Sequence, residues 1–249
     1  MRLYAADDDA RNIDWRVTAR RGRPHTKLFR EERERPVWLV ADLHAGLFFG
    51  SRRQLKSAVL VRAAALLGWV AALGGDRLGA VIADGIAEPR IFPPRAREAG
   101  VLPILEALVE HQPRAPGTPA PDGLRAAVSS LRPLLKPGSL ILLLSDFAGL
   151  DTPTEEMLAG ATAHNDCRLL WITDPLESNG LAAGAYRVGL PGRLWWMDGE
   201  RSRAPWLAAW RAREQRLAEL AARLDLPLGR LDTPAVVLET LAALLKERT

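Results

Sequence analysis

Short apolar runs alternate along the chain with longer segments whose apolar residues recur every three or four positions. Such short runs, bounded by Gly, Pro or charged residues, are typical of buried strands, and the longer period is typical of helices that pack on a core. The runs predict strands at 37–41, 77–83, 139–144, 168–173 and 228–231. Strands that alternate with helices predict an α/β fold, with a doubly wound, mostly parallel sheet flanked by helices.

The predicted helices are defined by their apolar faces and by the residues at their ends. In 52–73 the apolar residues fall three and four apart, and Gly74-Gly75 follows, which favours a helix C-terminus. The last helix is expected to begin with Thr233 as its N-cap and Pro234 in its first turn. The other helices are predicted at 95–111, 121–135, 154–164, 206–224 and, for the last, 234–248.

Two further segments carry strand or turn signals. Residues 89–92 predict a short edge strand that ends at Pro93-Pro94. The Gly-rich stretch that runs through Gly192 predicts an irregular loop or a small hairpin.

Composition limits the classes of partner. The chain has 249 residues, of which 48% are hydrophobic and 26% charged, so it is long enough for a full core and is expected to form one compact domain. A net charge of +4 alone would suggest nucleic acid. All but four of the 34 basic residues are arginine, however, and an arginine bias in an Ala-rich chain is explained by a GC-rich coding sequence. The sequence therefore predicts no nucleic-acid partner.

Cysteine usage and hydropathy bear on compartment. Cys167 is the only cysteine, which excludes an internal disulfide and a multi-cysteine metal site, and a buried, inert thiol is expected there. Uninterrupted apolar runs are too short to span a bilayer, and the first residues lack the apolar core of a secretory signal. We therefore predict a cytoplasmic location and no membrane segment in this chain.

Acidic residues follow two of the predicted strands. Asp42 comes directly after the first strand and Asp146 after the third. Ligands bind beyond the carboxyl ends of parallel strands, near the point where strand order reverses, so both side chains are expected at one edge. His44 adds an imidazole two residues after Asp42, and Thr118 lies in a loop placed to reach the same edge.

Asp42, His44, Thr118 and Asp146 form the predicted metal site. Mg²⁺ prefers a nearly octahedral set of oxygens, whereas an imidazole favours Zn²⁺. The sequence leaves three alternatives open: weak Mg²⁺ binding, zinc on two carboxylates and His44, or a hydrogen bond or ion pair between His44 and Asp146 with no metal. The expected cofactor is accordingly none, or a weakly bound divalent cation such as Mg²⁺.

Motifs of the common catalytic classes are absent from the sequence. There is no Gly-x-Ser-x-Gly, no phosphate-binding Gly-x-x-x-x-Gly-Lys-Ser/Thr, no His-Glu-x-x-His and no Gly-x-Gly-x-x-Gly. We therefore predict a protein that is not an enzyme. The alternative hypothesis is a metal-dependent hydrolase or nuclease that uses Asp42, His44 and Asp146, and a third is a protein that binds an acidic peptide through a cation.

The N-terminal segment carries a family resemblance. Within residues 4–15, the order Tyr4, Asp7-Asp8-Asp9, Arg11 and Ile13-Asp14-Trp15 resembles the signature of the domain of unknown function 58 family, a von Willebrand factor A-like group. Later matches are Phe49-Gly50-Ser51 with Lys56, Gly75 to Gly79, Ser145-Asp146-Phe147 and Asp174 to Glu177. The resemblance implies a von Willebrand factor A-like fold over 36–249, and a signature segment over 1–35 that packs on the sheet.

The resemblance also implies partners. Members of the family are typically encoded beside MoxR-type AAA+ ATPases and are thought to act with them as chaperone-like adaptors on other proteins. This chain is therefore expected to be an interaction module with a MoxR-type ATPase and a protein client as partners. The family's metal site reads Asp-x-Ser-x-Ser, but here the motif is Asp42-x-His44-x-Gly46, so the site is expected to be degenerate.

Charges of both signs are dense near the N-terminus. The partner-binding candidates are Asp8, Asp9, Arg11, Asp14 and Arg20. The alternative is that they form salt bridges that hold the segment across the sheet. Relatives carry an upstream region that often includes membrane helices, so the resemblance implies either a short soluble form or an incomplete start.

Overall fold

The computed structural model describes residues 2–4, 13, 15–26, 35–118, 120, 122–190 and 192–246. The chain divides into two compact units, Met1–Arg33 and Glu34–Thr249. In the first, strand β1 (Arg2–Leu3) pairs antiparallel with β2 (His25–Thr26), and helix α1 spans Trp15–Arg21.

The candidate partner-binding residues fall in this first unit. Arg20 lies in the last turn of α1, where a cation interacts favourably with the helix dipole. Asp8, Asp9, Arg11 and Asp14 lie outside the described residues. Their role in binding and the packing of residues 1–35 on the sheet stay predictions.

The second unit is built on a six-stranded sheet. Its strands are β3 (Pro36–Asp42), β4 (Arg77–Ala83), β5 (Arg90–Ala96), β6 (Leu140–Ser145), β7 (Asp166–Thr173) and, after a separate hairpin of β8 (Ala185–Leu190) and β9 (Arg193–Asp198), β10 (Leu228–Asp232). The helices are α2 (Lys56–Leu73), α3 (Glu98–Glu110), α4 (Gly123–Leu131), α5 (Thr152–Thr162), α6 (Pro175–Asn179), α7 (Gly199–Arg223) and α8 (Val237–Lys246). Short 3-10 turns occur at Ala45–Leu47 and Arg132–Leu134.

The strand order is β10-β7-β6-β3-β4-β5, and only β5 runs antiparallel to its neighbour. All five predicted parallel strands are present, so the predicted fold class is confirmed. After β3 the chain adds β4 and β5 on one side of β3, and it then adds β6, β7 and β10 on the other side. The strand order therefore reverses between β3 and β6, and the carboxyl ends of these two strands frame the switch point.

Alternate residues of the strands enter two separate cores. Val37, Leu39 and Ala41 of β3 face α2, α3 and α8, while Trp38 and Val40 face α4, α5 and α7. Each fully buried aliphatic side chain stabilises the fold by about 1.5–3 kcal/mol. Burial on both faces explains why β3 and β6 are continuously apolar in sequence.

The predicted end of the edge strand at Pro93-Pro94 is wrong. Strand β5 continues through both prolines to Ala96, and the pairing shifts in register between Leu78 and Ala80 of β4. Proline is tolerated because β5 is an edge strand, so a missing N–H need not break a ladder bond. Gly79 of β4 makes room, since a Cβ there would lie 2.8 Å from the Phe92 carbonyl oxygen.

Several predicted helix starts are also wrong, since α2 begins at Lys56 instead of residue 52 and α3 at Glu98 instead of residue 95. Helix α8 begins at Val237, because the Thr233 hydroxyl donates to Asp174 Oδ2 at 2.6 Å instead of capping a helix. Helix α7 begins seven residues before the predicted start, because the Asp198 side chain caps it by accepting from the Arg201 N–H at 3.0 Å.

A glycine at the start of α3 provides a test of the packing between α3 and β5. Gly100 is buried, and a Cβ there would lie 2.2 Å from the backbone oxygen of Arg95. We expect Gly100→Ala to lower the free energy of unfolding by about 1–3 kcal/mol, because backbone must move. Gly160 of α5 is exposed, and a Cβ added there would lie 3.7 Å from a side-chain nitrogen of Arg132. Gly160→Ala should therefore raise the free energy of unfolding by about 0.5–1 kcal/mol. Urea unfolding measures both, and equal effects would contradict the close approach.

Candidate functional site

Three of the four predicted metal-site residues meet at the switch point. Asp42 ends β3, and Asp146 directly follows β6. His44 precedes the 3-10 turn at Ala45–Leu47 and caps it, since its Nδ1 accepts the Gly46 N–H at 3.1 Å. All three residues are at most 3% exposed.

Asp146 is the centre of this cluster. Its Oδ1 lies 3.1 Å from Nε2 of His44 and accepts the Ala148 N–H at 3.0 Å, and its Oδ2 accepts from Nζ of Lys56 at 2.7 Å. Burial acts to raise the pKa of Asp146, but the Lys56 ammonium and His44 outweigh it and hold the pKa well below its usual range. Asp146 is therefore a fully paired carboxylate.

Lys56 links three elements of the fold. It opens α2, is 1% exposed, and also donates to Oε1 of Glu177 on α6 at 3.1 Å. Burial acts to lower its pKa, but Asp146 and Glu177 outweigh that effect and raise it. Glu177 in turn closes a capping box, since its Oε2 accepts the Asp174 N–H at 2.9 Å.

His44 is oriented by its two ring nitrogens. In the neutral ring, the bond from the Gly46 N–H to Nδ1 assigns the proton to Nε2, which then donates to Asp146. Burial acts to lower the pKa of His44, but the hydrogen bond and charge of Asp146 outweigh it and raise the pKa. The hydrogen bond between His44 and Asp146 corresponds to one alternative that the sequence left open.

Asp42 is less well satisfied than Asp146. Its Oδ2 accepts from the Ser145 hydroxyl at 2.7 Å, whereas its buried Oδ1 has no hydrogen-bond partner within the described part of the chain. Burial raises the pKa of Asp42 to about 6, despite the opposing effects of His44 and Ser145. Two carboxyl groups at one sheet edge therefore have pKa values displaced in opposite directions.

The arrangement does not fit a divalent ion. No group of three His, Cys, Asp or Glu side chains among the described residues is arranged to hold a metal. The ammonium of Lys56 lies against Asp146 Oδ2, on the oxygen that a cation would use. Gly117 packs against Ala45, which brings the Thr118 loop to the edge, but no hydrogen bond joins Thr118 to the other three within the described ranges. The ammonium group of Lys56 therefore supplies the positive charge beside Asp146 that a metal ion would otherwise supply.

A cleft of about 370 Å³ opens beside the cluster. The charged residues that line it are Lys56, Asp146, Glu177 and Arg213. The other lining residues are aromatic or small: Gly46, Phe49, Gly117, Ala148, Trp206, Ala209 and Trp210. The cleft thus combines paired charges with an aromatic surface.

Hydrogen bonds and stacking fix the aromatic wall. Nε1 of Trp206 donates to the Leu176 carbonyl at 3.1 Å, and Trp210 stacks on Trp171 with ring centroids 4.7 Å apart. Nε1 of Trp171 donates to the Asp146 carbonyl at 3.1 Å, which connects the wall to the cluster. Sequence reasoning predicted a helix over 206–224 but assigned no site role to Lys56 or Glu177, because their partners are distant in sequence.

A mostly parallel six-stranded sheet, with helices on both faces and acidic residues at the switch point, defines a von Willebrand factor A-like domain. The chain belongs to the family described as protein of unknown function DUF58, whose model matches residues 1–203. The predicted family is thereby confirmed.

Relatives and solved structures agree with this assignment. Uncharacterized proteins of Mycobacterium tuberculosis and Mycobacterium bovis are each 37% identical over 178 residues, covering 71% of this chain and 54% of their own length. The chain therefore spans about half the length of the curated relatives it matches. Two solved structures share the fold. One is an aerotolerance-related membrane protein from Bacteroides fragilis, with a TM-score of 0.52 and 11% sequence identity over 86% of this chain and 98% of that chain. The other is BatB from Bacteroides thetaiotaomicron, with a TM-score of 0.51 and 13% sequence identity over 85% of this chain and 99% of that chain.

The predicted cytoplasmic location is contradicted by this comparison, because the Bacteroides fragilis structure is described as that of a membrane protein. Among the described residues, α2 is the one helix that is long and apolar enough to cross a bilayer by length and composition. Half of it is buried in the core, and core helices of soluble proteins meet the same criteria. Arg62 divides its apolar sequence, so the helix contains no uninterrupted apolar run long enough to span a bilayer.

Replacing Lys56 tests the internal cation. Lys56→Met should lower the free energy of unfolding by about 3–5 kcal/mol, because Asp146 and Glu177 would be left without their ammonium partner. Lys136→Met, at an exposed lysine, should leave it nearly unchanged. Denaturant unfolding at neutral pH measures both variants. A Lys56 variant as stable as the wild type would show that the buried charges do not depend on one another.

The raised pKa of Asp42 predicts a pH dependence. The folded chain binds this proton more tightly than the unfolded chain, so the contribution to stability is fully present below pH 3.8 and is lost as the pH rises through about 6. This displacement corresponds to about 3 kcal/mol. Asp42→Asn stays neutral, so the stability of the wild type relative to this variant should fall by about that amount between about pH 4 and about pH 7.

Chemical denaturation across this pH range measures the difference, and carboxylates with lowered pKa that are not coupled to Asp42, such as Asp174, act in both proteins and cancel. Asp166→Asn, at a side chain that is 74% exposed, controls for the loss of a negative charge. A difference between wild type and Asp42→Asn that does not change with pH would contradict a raised pKa at Asp42.

Proposed function

We propose that this chain is a non-enzymatic interaction module that works with a MoxR-type AAA+ ATPase in the assembly or activation of a client protein. One observation carries the proposal: the cleft at the switch point has an aromatic wall beside charges that are already paired within the protein. Such a cleft suits a side chain of a protein partner, because aromatic residues in preformed pockets dominate protein–protein binding energy. Membership of the family supports the choice of ATPase.

The buried groups also support a role without catalysis. Asp42 and His44 are at most 2% exposed, so a substrate in the cleft would not reach them. Burial raises the pKa of the Cys167 thiol to about 12, which leaves it protonated and inert. The alternative hydrolase or nuclease would need Asp42, His44 and Asp146 within reach of substrate. Of these three residues, Asp146 alone lines the cleft, and its carboxylate already pairs with Lys56 and His44.

Neighbouring alanines on α7 allow the cleft to be tested without removing a contact. Ala209 lines the cleft, whereas Ala208 is exposed and does not line it. Ala209→Trp should fill the cleft and weaken binding to the ATPase or client by tenfold or more, and Ala208→Trp should bind as the wild type. The measurements are co-purification with a MoxR-type AAA+ ATPase, and the change that the purified protein causes in the rate of that ATPase.

Two outcomes would count against the proposal. If the wild-type protein neither binds the ATPase nor changes its rate, the partnership is wrong. If Ala209→Trp acts as strongly as the wild type, the cleft is not the contact. A titration with Mg²⁺, Mn²⁺ and Zn²⁺ on the wild type and on Asp42→Ala separates this proposal from cation-dependent capture, which would require saturable binding that the substitution abolishes.

A further inference from the structure

The hairpin of β8 and β9 forms a separate two-stranded sheet that exposes a run of large apolar side chains. Leu194, Trp195 and Trp196 expose 66%, 45% and 73% of their surface. They pair with Gly189, Val188 and Arg187 across the hairpin. Soluble proteins rarely expose contiguous apolar residues of this size without a partner.

The apolar residues occupy both faces of the hairpin. Successive residues of a strand point to opposite faces, so Leu194 and Trp196 lie on one face and Trp195 lies on the other. A protein that packs on a two-stranded sheet covers one face and leaves the other in water. An environment that surrounds the hairpin covers both, and the interfacial region of a bilayer is such an environment.

The charges beside these residues favour an anionic surface. Arg187 and Arg193 lie on the hairpin and are exposed, and Arg187 is directly opposite Trp196. The one acidic residue of the two strands, Asp198, lies at the base and caps α7. Tryptophan prefers the level of the lipid headgroups, and arginine can extend from there to phosphates.

The base of the hairpin packs closely on the first residue of α7. The Gly199 N–H donates to the Gly184 carbonyl at 2.8 Å, and a Cβ on Gly199 would lie 2.1 Å from the Ala182 oxygen and 2.6 Å from the Tyr186 ring. Helix α7 thus starts in direct contact with the hairpin. A hairpin held at its base can place its tip in a bilayer without reordering the sheet.

We propose that the β8–β9 hairpin binds an anionic membrane surface, with Leu194, Trp195 and Trp196 in the interfacial region and Arg187 and Arg193 at lipid phosphates. This contact is independent of the cleft. It makes the domain a peripheral membrane-binding module through its own surface residues.

Vesicle co-sedimentation of the full chain tests the proposal. The wild type should bind phosphatidylcholine vesicles that contain phosphatidylglycerol, and should bind pure phosphatidylcholine more weakly. The double variant Trp195→Ser, Trp196→Ser should lose about tenfold or more in partition to the anionic vesicles, because each indole buries a large apolar area. Trp15→Ser, at a tryptophan of α1 that is 70% exposed, is the matched control and should bind as the wild type.

A second variant keeps the test valid if the serine substitutions disturb the hairpin. Arg187→Glu with Arg193→Glu retains the apolar residues and should abolish the preference for phosphatidylglycerol. The proposal is overturned if the wild type fails to sediment with anionic vesicles, or if the tryptophan variant sediments as the wild type does. It is also overturned if the tryptophans instead hold a dimer, which analytical ultracentrifugation would reveal as a dimeric wild type and a monomeric variant, neither bound to vesicles.

Discussion

The buried ion pair between Lys56 and Asp146 is the interaction on which the switch-point edge depends. A charge that is 1% exposed, as Lys56 is, costs several kcal/mol to bury unless good hydrogen bonds compensate for the lost water. Here Nζ lies 2.7 Å from Asp146 and 3.1 Å from Glu177. Because each charge needs the others, the start of α2, the end of β6 and helix α6 are held in one relative position.

The two aspartates of this edge show how environment separates similar groups. Both oxygens of Asp146 have partners, whereas one oxygen of Asp42 has none among the described residues. The turn after β6 contributes to this difference: Phe147 takes a φ of 53°, and its N–H donates to the Ser145 hydroxyl, which donates to Asp42. Burial therefore raises the pKa of Asp42, which lacks the donors that stabilise the ionised form of Asp146.

The sequence predicts those features that depend on local pattern. Periodicity locates the five parallel strands, and the rule for parallel sheets brings Asp42 and Asp146 to one edge. The features that it misses depend on partners far along the chain. Lys56 is 90 residues from Asp146 and 121 from Glu177, so only the folded chain shows that a lysine in a helical pattern is a buried counter-ion. Thr233 likewise does not cap a helix, because its hydroxyl donates a hydrogen bond to Asp174, 59 residues away.

The charged side chains that line the cleft are largely paired with one another. At the cleft, Lys56 neutralises Asp146 and shares Glu177 with Arg213, which lies 3.5 Å away, so little charge is left for a ligand. If the cleft binds a protein partner, as we propose, recognition there depends on shape and apolar contact more than on ion capture. This is the opposite of an adhesion site built on a metal, in which an unsaturated cation is the main attraction.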